Sequence, residues 1–153
     1  MSESIKLKYS VVIEASQEEV FEFVANPLND HLWRSEVNRI ESSGEISAVG
    51  TEFLENAWIG IQKNFITITR LVEYKAPDRA LFITVDRNPY FLKSDRIFSS
   101  LKDGKTLFTY KVDFDKKMVP KTFGINVRPS IVKKLYGILM KKYLRKLKSI
   151  LDS

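Results

Sequence analysis

From residue 37 to residue 115 the apolar side chains recur at every second position, and each run is closed by turn chemistry. A period of two belongs to strands with one buried face and one wet face. Strands are read at 37–43, 52–59, 63–75, 79–86, 91–100 and 106–115. Their separators are Ser42-Ser43-Gly44, Val49-Gly50-Thr51, Ala76-Pro77-Asp78, Asn88-Pro89 and Asp103-Gly104. The Asp103-Gly104 pair, between Leu101 and Leu107, is the plainest hairpin signal. Ile66, Ile68, Val72 and Tyr74 are expected to share one face of their strand, and Phe108, Tyr110, Val112 and Phe114 one face of theirs.

An earlier strand is read at 5–14, where Ile5, Leu7 and Tyr9 alternate with polar residues. Ser16 with Glu19 three positions on has capping-box spacing and starts a helix, which Asn26-Pro27 ends. Leu28 to Trp33 give a further short helical turn. After residue 115 an apolar-containing connector (Met118, Val119, Phe123, Ile125) leads to a long helix over roughly 129–151. The connector reads equally as a gate or as an extension of the last strand that caps the core. On the helix Val132, Leu135, Tyr136, Leu139, Tyr143, Leu147 and Ile150 form one stripe, opposite Lys134, Lys141, Lys142, Arg145 and Lys148. The order β-α-α-β6-α is an α+β pattern, a curled seven-stranded antiparallel sheet closed by one long helix. Such a shape leaves room for an apolar pocket of ligand size.

At 153 residues the chain is expected to form one domain, 1–153. It has no Cys and one His, which removes thiol catalysis, Cys-ligated metals and His-pair metal sites. No cofactor, metal or Gly-rich phosphate loop is read. Absent cysteine and signal sequence point to the cytoplasm. The net charge of +6 is uneven: residues 116–153 hold 11 basic side chains and one acid, Asp152, whereas residues 1–115 carry a net −4. Nucleic acid is not expected, since no aromatics interleave with the exposed lysines. The helix's apolar stripe is needed to close the sheet, which leaves at most a peripheral electrostatic contact with a membrane or an acidic protein.

Four segments carry a resemblance: SVVIEASQEEVFEFVANPLNDHLW (10–33), VGTEF (49–53), ITRLVEYKAPDRALF (68–82) and the terminal amphipathic helix. Together they resemble the START / Bet v 1-like helix-grip superfamily (SRPBCC), in particular its polyketide cyclase/dehydrase-like branch. The resemblance implies a helix-grip fold with an elongated pocket between sheet and C-terminal helix. It also implies a hydrophobic or amphipathic small molecule, lipid-like or polycyclic, as the partner. Members range from carriers to cyclases and dehydratases, and the motifs are those of a fold and not of a catalyst.

Trp33, Trp58, Ile68, Phe108, Tyr110, Val132, Tyr136 and Leu139 are the candidate cavity residues, with Tyr110 and Tyr136 preferred for their polar tips. The candidate acid/base or charged groups are Asp86, Asp95, Glu55 and Arg70. In the pairs Asp86-Arg87 and Asp95-Arg96 one member is expected to point inward, because neighbours in a strand face opposite ways. An inward carboxylate would have a raised pKa; an ion-pair ladder on the wet face is the weightier alternative. His31 reads as a surface residue, and its neighbour Asp30 as near in sequence only. Binding is thus weighted over catalysis. A cyclase- or dehydratase-like enzyme is the alternative, and a regulator docking through the basic helix the third reading.

Overall fold

A computed structural model describes residues 4–153. Seven strands form one antiparallel sheet: β1 (Ser4–Ile13), β2 (Val37–Ser42), β3 (Glu52–Ile59), β4 (Gln62–Lys75), β5 (Arg79–Thr84), β6 (Leu92–Ser100) and β7 (Thr106–Asp115). Their spatial order is β1-β7-β6-β5-β4-β3-β2. All the hairpin-linked strands are neighbours, and β1 closes the far edge on β7 with Tyr9 opposite Tyr110. Both Asp103 and Gly104 have positive φ (74° and 73°), as a tight hairpin turn between β6 and β7 requires.

Helix α1 (Gln17–Val24) starts where Ser16 accepts a hydrogen bond from the Glu19 amide at 3.2 Å. Asn26 then caps a 3-10 turn, Pro27–Leu32, with Pro27 at its first position. The first half of the connector does not extend β7, and its second half, 124–128, is a mostly exposed loop. That first half forms a short helix, α2 (Met118–Phe123), which buries Met118, Val119 and Thr122. Pro120 is tolerated there because it falls in the first turn, where no intrahelical amide partner is lost.

The long helix α3 spans Pro129–Leu151. Its buried stripe is Val132, Gly137, Met140, Tyr143, Leu144 and Leu147, so Leu135, Leu139 and Ile150, expected on it, lie exposed instead. The rotation follows from Gly137, which faces Tyr9 of β1 so closely that an added Cβ would stand 2.2 Å from the tyrosine oxygen. At its end the helix is tied to β1: Lys148 donates to the Val12 carbonyl at 3.0 Å, and the Asp152 carboxylate accepts from the Glu14 amide at 2.8 Å. No helix among the described residues is long and apolar enough to cross a membrane.

A second correction concerns β4. Thr67 and Thr69 face inward with Phe65 and Leu71, and Ile66, Ile68 and Val72 lie on the outer face. An irregularity between Leu71 and Glu73 restores Tyr74 to the inside, where its ring meets Phe21 edge-on at 5.1 Å. The expectation that apolar residues face in fails here because the inner face lines a polar cavity.

The β3–β4 turn touches α2 through Gly60, which has φ 59° and would place a Cβ 2.1 Å from the Thr122 carbonyl oxygen. Gly60→Ala therefore meets both the left-handed penalty and a backbone clash, and a loss of about 2 kcal/mol or more is expected in urea unfolding. Gly104→Ala, with positive φ but open space around it, should lose only about 1 kcal/mol.

Candidate functional site

The inner face of the sheet, the 3-10 turn, α2 and α3 enclose a cavity of about 100 Å³. One part of its wall is apolar: Leu7, Ile40, Phe53, Ile59, Phe82, Leu92, Val112, Phe114, Met118 and Met140. The other part is polar and charged: Asp30, Arg34, Glu36, Glu55, Thr67, Thr69, Ser94, Arg96, Tyr110, Tyr136 and Tyr143. An outer recess of about 280 Å³ shares Glu36, Ile59, Tyr136 and Tyr143 with the cavity and adds Ser35, Trp58, Gly60 and Leu139. The shared residues stand where the two spaces adjoin.

Arg96 enters from the middle of β6 and is 3% exposed; Asp30 comes from the 3-10 turn and is 1% exposed. The guanidinium grips the carboxylate with two bonds, Nη1 to Oδ1 at 2.8 Å and Nη2 to Oδ2 at 2.6 Å. It also donates to the Val24 carbonyl at 2.8 Å and lies 5.3–5.5 Å from the ring centres of Trp33, Phe82 and Tyr110. Such a set of partners is what a fully buried charge requires. Arg34 extends the network, donating to Asp30 at 2.8 Å and to both Glu55 oxygens at 2.7 and 3.2 Å. Three carboxylates thus face two guanidinium groups, and both guanidinium groups are already engaged.

Glu36 is the least firmly held carboxylate, 3.8 Å from Arg34, and shares the cavity wall with Tyr143. Burial lifts its pKa above the ordinary glutamate value, against the pull of Arg34. Burial also raises Tyr110, Tyr136 and Tyr143, so all three phenols are protonated donors at neutral pH. Among the described residues no three His, Cys, Asp or Glu side chains converge as metal ligands would.

No protein-family model and no curated protein matches the sequence. Solved structures do match. A START superfamily protein from Mycobacterium smegmatis superposes with TM-score 0.76 at 14% identity, covering 95% of this chain and 96% of that one. The fold is the START / Bet v 1-like helix grip. Ginseng major latex-like protein 151 from Panax ginseng gives TM-score 0.66 at 14% identity over 97% of both chains. The di-domain ARO/CYC StfQ from the steffimycin biosynthetic pathway gives 0.74 at 8% identity, over 97% of this chain and 50% of its own.

Within this helix grip the candidate residues separate. Tyr110 and Tyr136 line the cavity together. Trp58 and Leu139 line the outer recess, while Trp33, Phe108 and Val132 are packed in the core and Ile68 lies on the outer face. Of the charged candidates only Glu55 reaches the cavity. Asp95 points outward and pairs with Arg79 at 2.8 Å, Arg70 pairs with Glu52 at 3.0 Å on the surface, and Asp86 is exposed beyond the end of β5. The inward member of the Asp95-Arg96 pair is the arginine. Asp30, Arg34, Glu36 and Tyr143, which are not among the sequence candidates, also line the cavity. A 3-10 turn has no periodicity long enough to give a side chain its direction, although the density of charge in NDHLWRSE (29–36) was visible.

Arg96→Met leaves Asp30 without its bidentate partner, and a loss of about 3–5 kcal/mol is expected in urea unfolding. Arg70→Met, on the surface, should stay within about 0.5 kcal/mol. Equal losses would remove the buried pair from its central place. For Glu36 the folded pKa exceeds the unfolded one, so the native state holds the extra proton between the two values. Stability should fall as pH rises through that window, and Glu36→Gln should abolish the fall. The lowered pKa values of Glu52 (bonded by Arg87 and Arg70) and Asp152 (bonded by the Glu14 amide) act with opposite sign, below the ordinary carboxylate range.

Proposed function

We propose that the protein binds a hydrophobic or amphipathic small molecule in the cavity between sheet and α3, acting in the cytoplasm as a carrier or sensor. The single observation behind this reading is a buried cavity with one apolar wall and one wall of hydrogen-bonding groups. Its polar wall favours one end of the ligand over others. Asp30, Glu36 and Glu55 outnumber Arg34 and Arg96, and the arginines are engaged by those acids, so an incoming carboxylate finds no free cation. A hydroxyl or ammonium group finds Glu36 and the threonine hydroxyls as acceptors. At about 100 Å³ the cavity suits one ring. A lipid-like or polycyclic ligand requires Met118 or Met140 to move, and methionine's unbranched chain makes that displacement cheap.

A second reading, a cyclase- or dehydratase-like enzyme, is favoured by one observation: Glu36, with its raised pKa, stands at the cavity wall beside Tyr143. Such a carboxylate can take a proton from carbon next to a carbonyl while the phenol donates to the oxygen.

Size-matched probes distinguish ligand ends. In thermal-shift titrations 3-phenylpropanol and phenethylamine should stabilise the protein, and 3-phenylpropanoate should bind at least about tenfold more weakly. Equal or tighter binding of the propanoate would overturn the assignment of the polar wall. No binding by any probe, to the parent or to a Met140→Ala variant with a larger cavity, would overturn the binding reading itself. For the enzyme, acetylacetone should exchange its central hydrogens with deuterated solvent faster in the presence of the protein, and Glu36→Gln should remove the effect.

A further inference from the structure

The outer surface around the recess carries a second apolar face that the fold does not cover. Trp58 near the end of β3 and Ile61 on the β3–β4 turn are 55% and 64% exposed, and Ile125 after α2 is 68% exposed. On α3, Leu135, Ile138 and Leu139 are exposed as well, at the spacing that puts them on one side of the helix. They are adjacent across elements. Trp58 and Leu139 line the same recess, and the Ile61 side chain packs at Gly124, the residue before Ile125. This face is distinct from the buried stripe of α3, so exposing it to an apolar phase costs the core nothing.

Four lysines stand around the patch, and the carboxylate in its recess, Glu36, is faced by Arg34 at 3.8 Å. Lys63 sits 5.6 Å from the Trp58 ring centre, Lys121 is exposed on α2, and Lys134 and Lys142 flank Ile138 one turn before and after. The one acid of residues 116–153, Asp152, is held at the opposite end of α3 by the Glu14 amide. We infer that this face docks on an anionic lipid surface, with Trp58, Ile61, Ile125 and Ile138 entering the interface and the lysines meeting the headgroups. A second copy of the chain is a poor occupant, because pairing the patch with itself would press two basic rims together. Aliphatic residues with one tryptophan at the rim and lysines around them are also the composition that suits the boundary between water and hydrocarbon. In this orientation the recess beside the cavity wall faces the bilayer. The inference does not depend on the cavity being filled.

The full chain supplies its own probe, since of its two tryptophans Trp33 is buried and Trp58 exposed. Titration with phosphatidylcholine vesicles containing phosphatidylglycerol should shift the tryptophan emission to the blue and bring the protein down on sedimentation. Pure phosphatidylcholine should do so weakly, and added salt should weaken the anionic case. Trp58→Phe should remove the spectral shift while sedimentation persists. Ile61→Ser with Ile138→Ser, and separately Lys134→Glu with Lys142→Glu, should each reduce partitioning by about tenfold or more at unchanged melting temperature. No sedimentation with anionic vesicles overturns the inference. Binding unaffected by the isoleucine pair overturns the insertion. A concentration-dependent dimer abolished by the isoleucine pair assigns the face to self-association and overturns it too. Failure here leaves the cavity reading standing, because the probe titrations need no membrane.

Discussion

The buried pair between Arg96 and Asp30 is the interaction on which the site depends. It joins the centre of β6 to the 3-10 turn, whose Pro27 also lines the cavity, and so fixes where that turn crosses the concave face. Around it, Trp33, Phe82 and Tyr110 place their rings against the guanidinium, and Arg34 hangs from the same carboxylate to reach Glu55 on β3. A charge this deep is tolerated only when every partner is in place, so removing either member leaves the other buried and uncompensated. The cavity has polar walls because this network occupies ground that an all-apolar core would have filled.

Several elements follow from local chemistry alone. Ser16 and Glu19 start a helix, Asp103-Gly104 turns a hairpin, and Phe108, Tyr110, Val112 and Phe114 share the inner face of β7, because in each case propensity and period agree. On β4 the period of two locates the strand but puts Ile66, Ile68 and Val72 on the wrong face. Thr67 and Thr69 point inward because what lies inside is polar, a fact set by Asp30 and Arg34 from far away in sequence. Alternation likewise predicted one inward member in Asp95-Arg96 without saying which. Arg79 and Glu73 on the outer face resolve that choice, by holding Asp95 there.

The helix α3 shows a related limit. Its length, ends and amphipathic character follow from the sequence, but the angle at which it lies does not. Met140 and Leu144 are buried and Leu135 and Leu139 exposed because Gly137 allows contact with Tyr9 at one rotation only. A helix with apolar residues over so wide an arc has two faces to offer, and a small residue decides which of them the sheet receives. The other then becomes surface, alongside Trp58 and Ile61.

That same helix is fastened unequally along its length. Its last turn is laced to the end of β1 through Lys148, Asp152 and the Ser153 amide, which donates to the Glu14 carbonyl at 3.0 Å. Its first turn has no side-chain cap and follows an exposed loop. A lever pinned at one end opens at the other. On the binding reading proposed above, room for a larger guest would be made beside Tyr136 and α2, with the far end of the grip as the fulcrum.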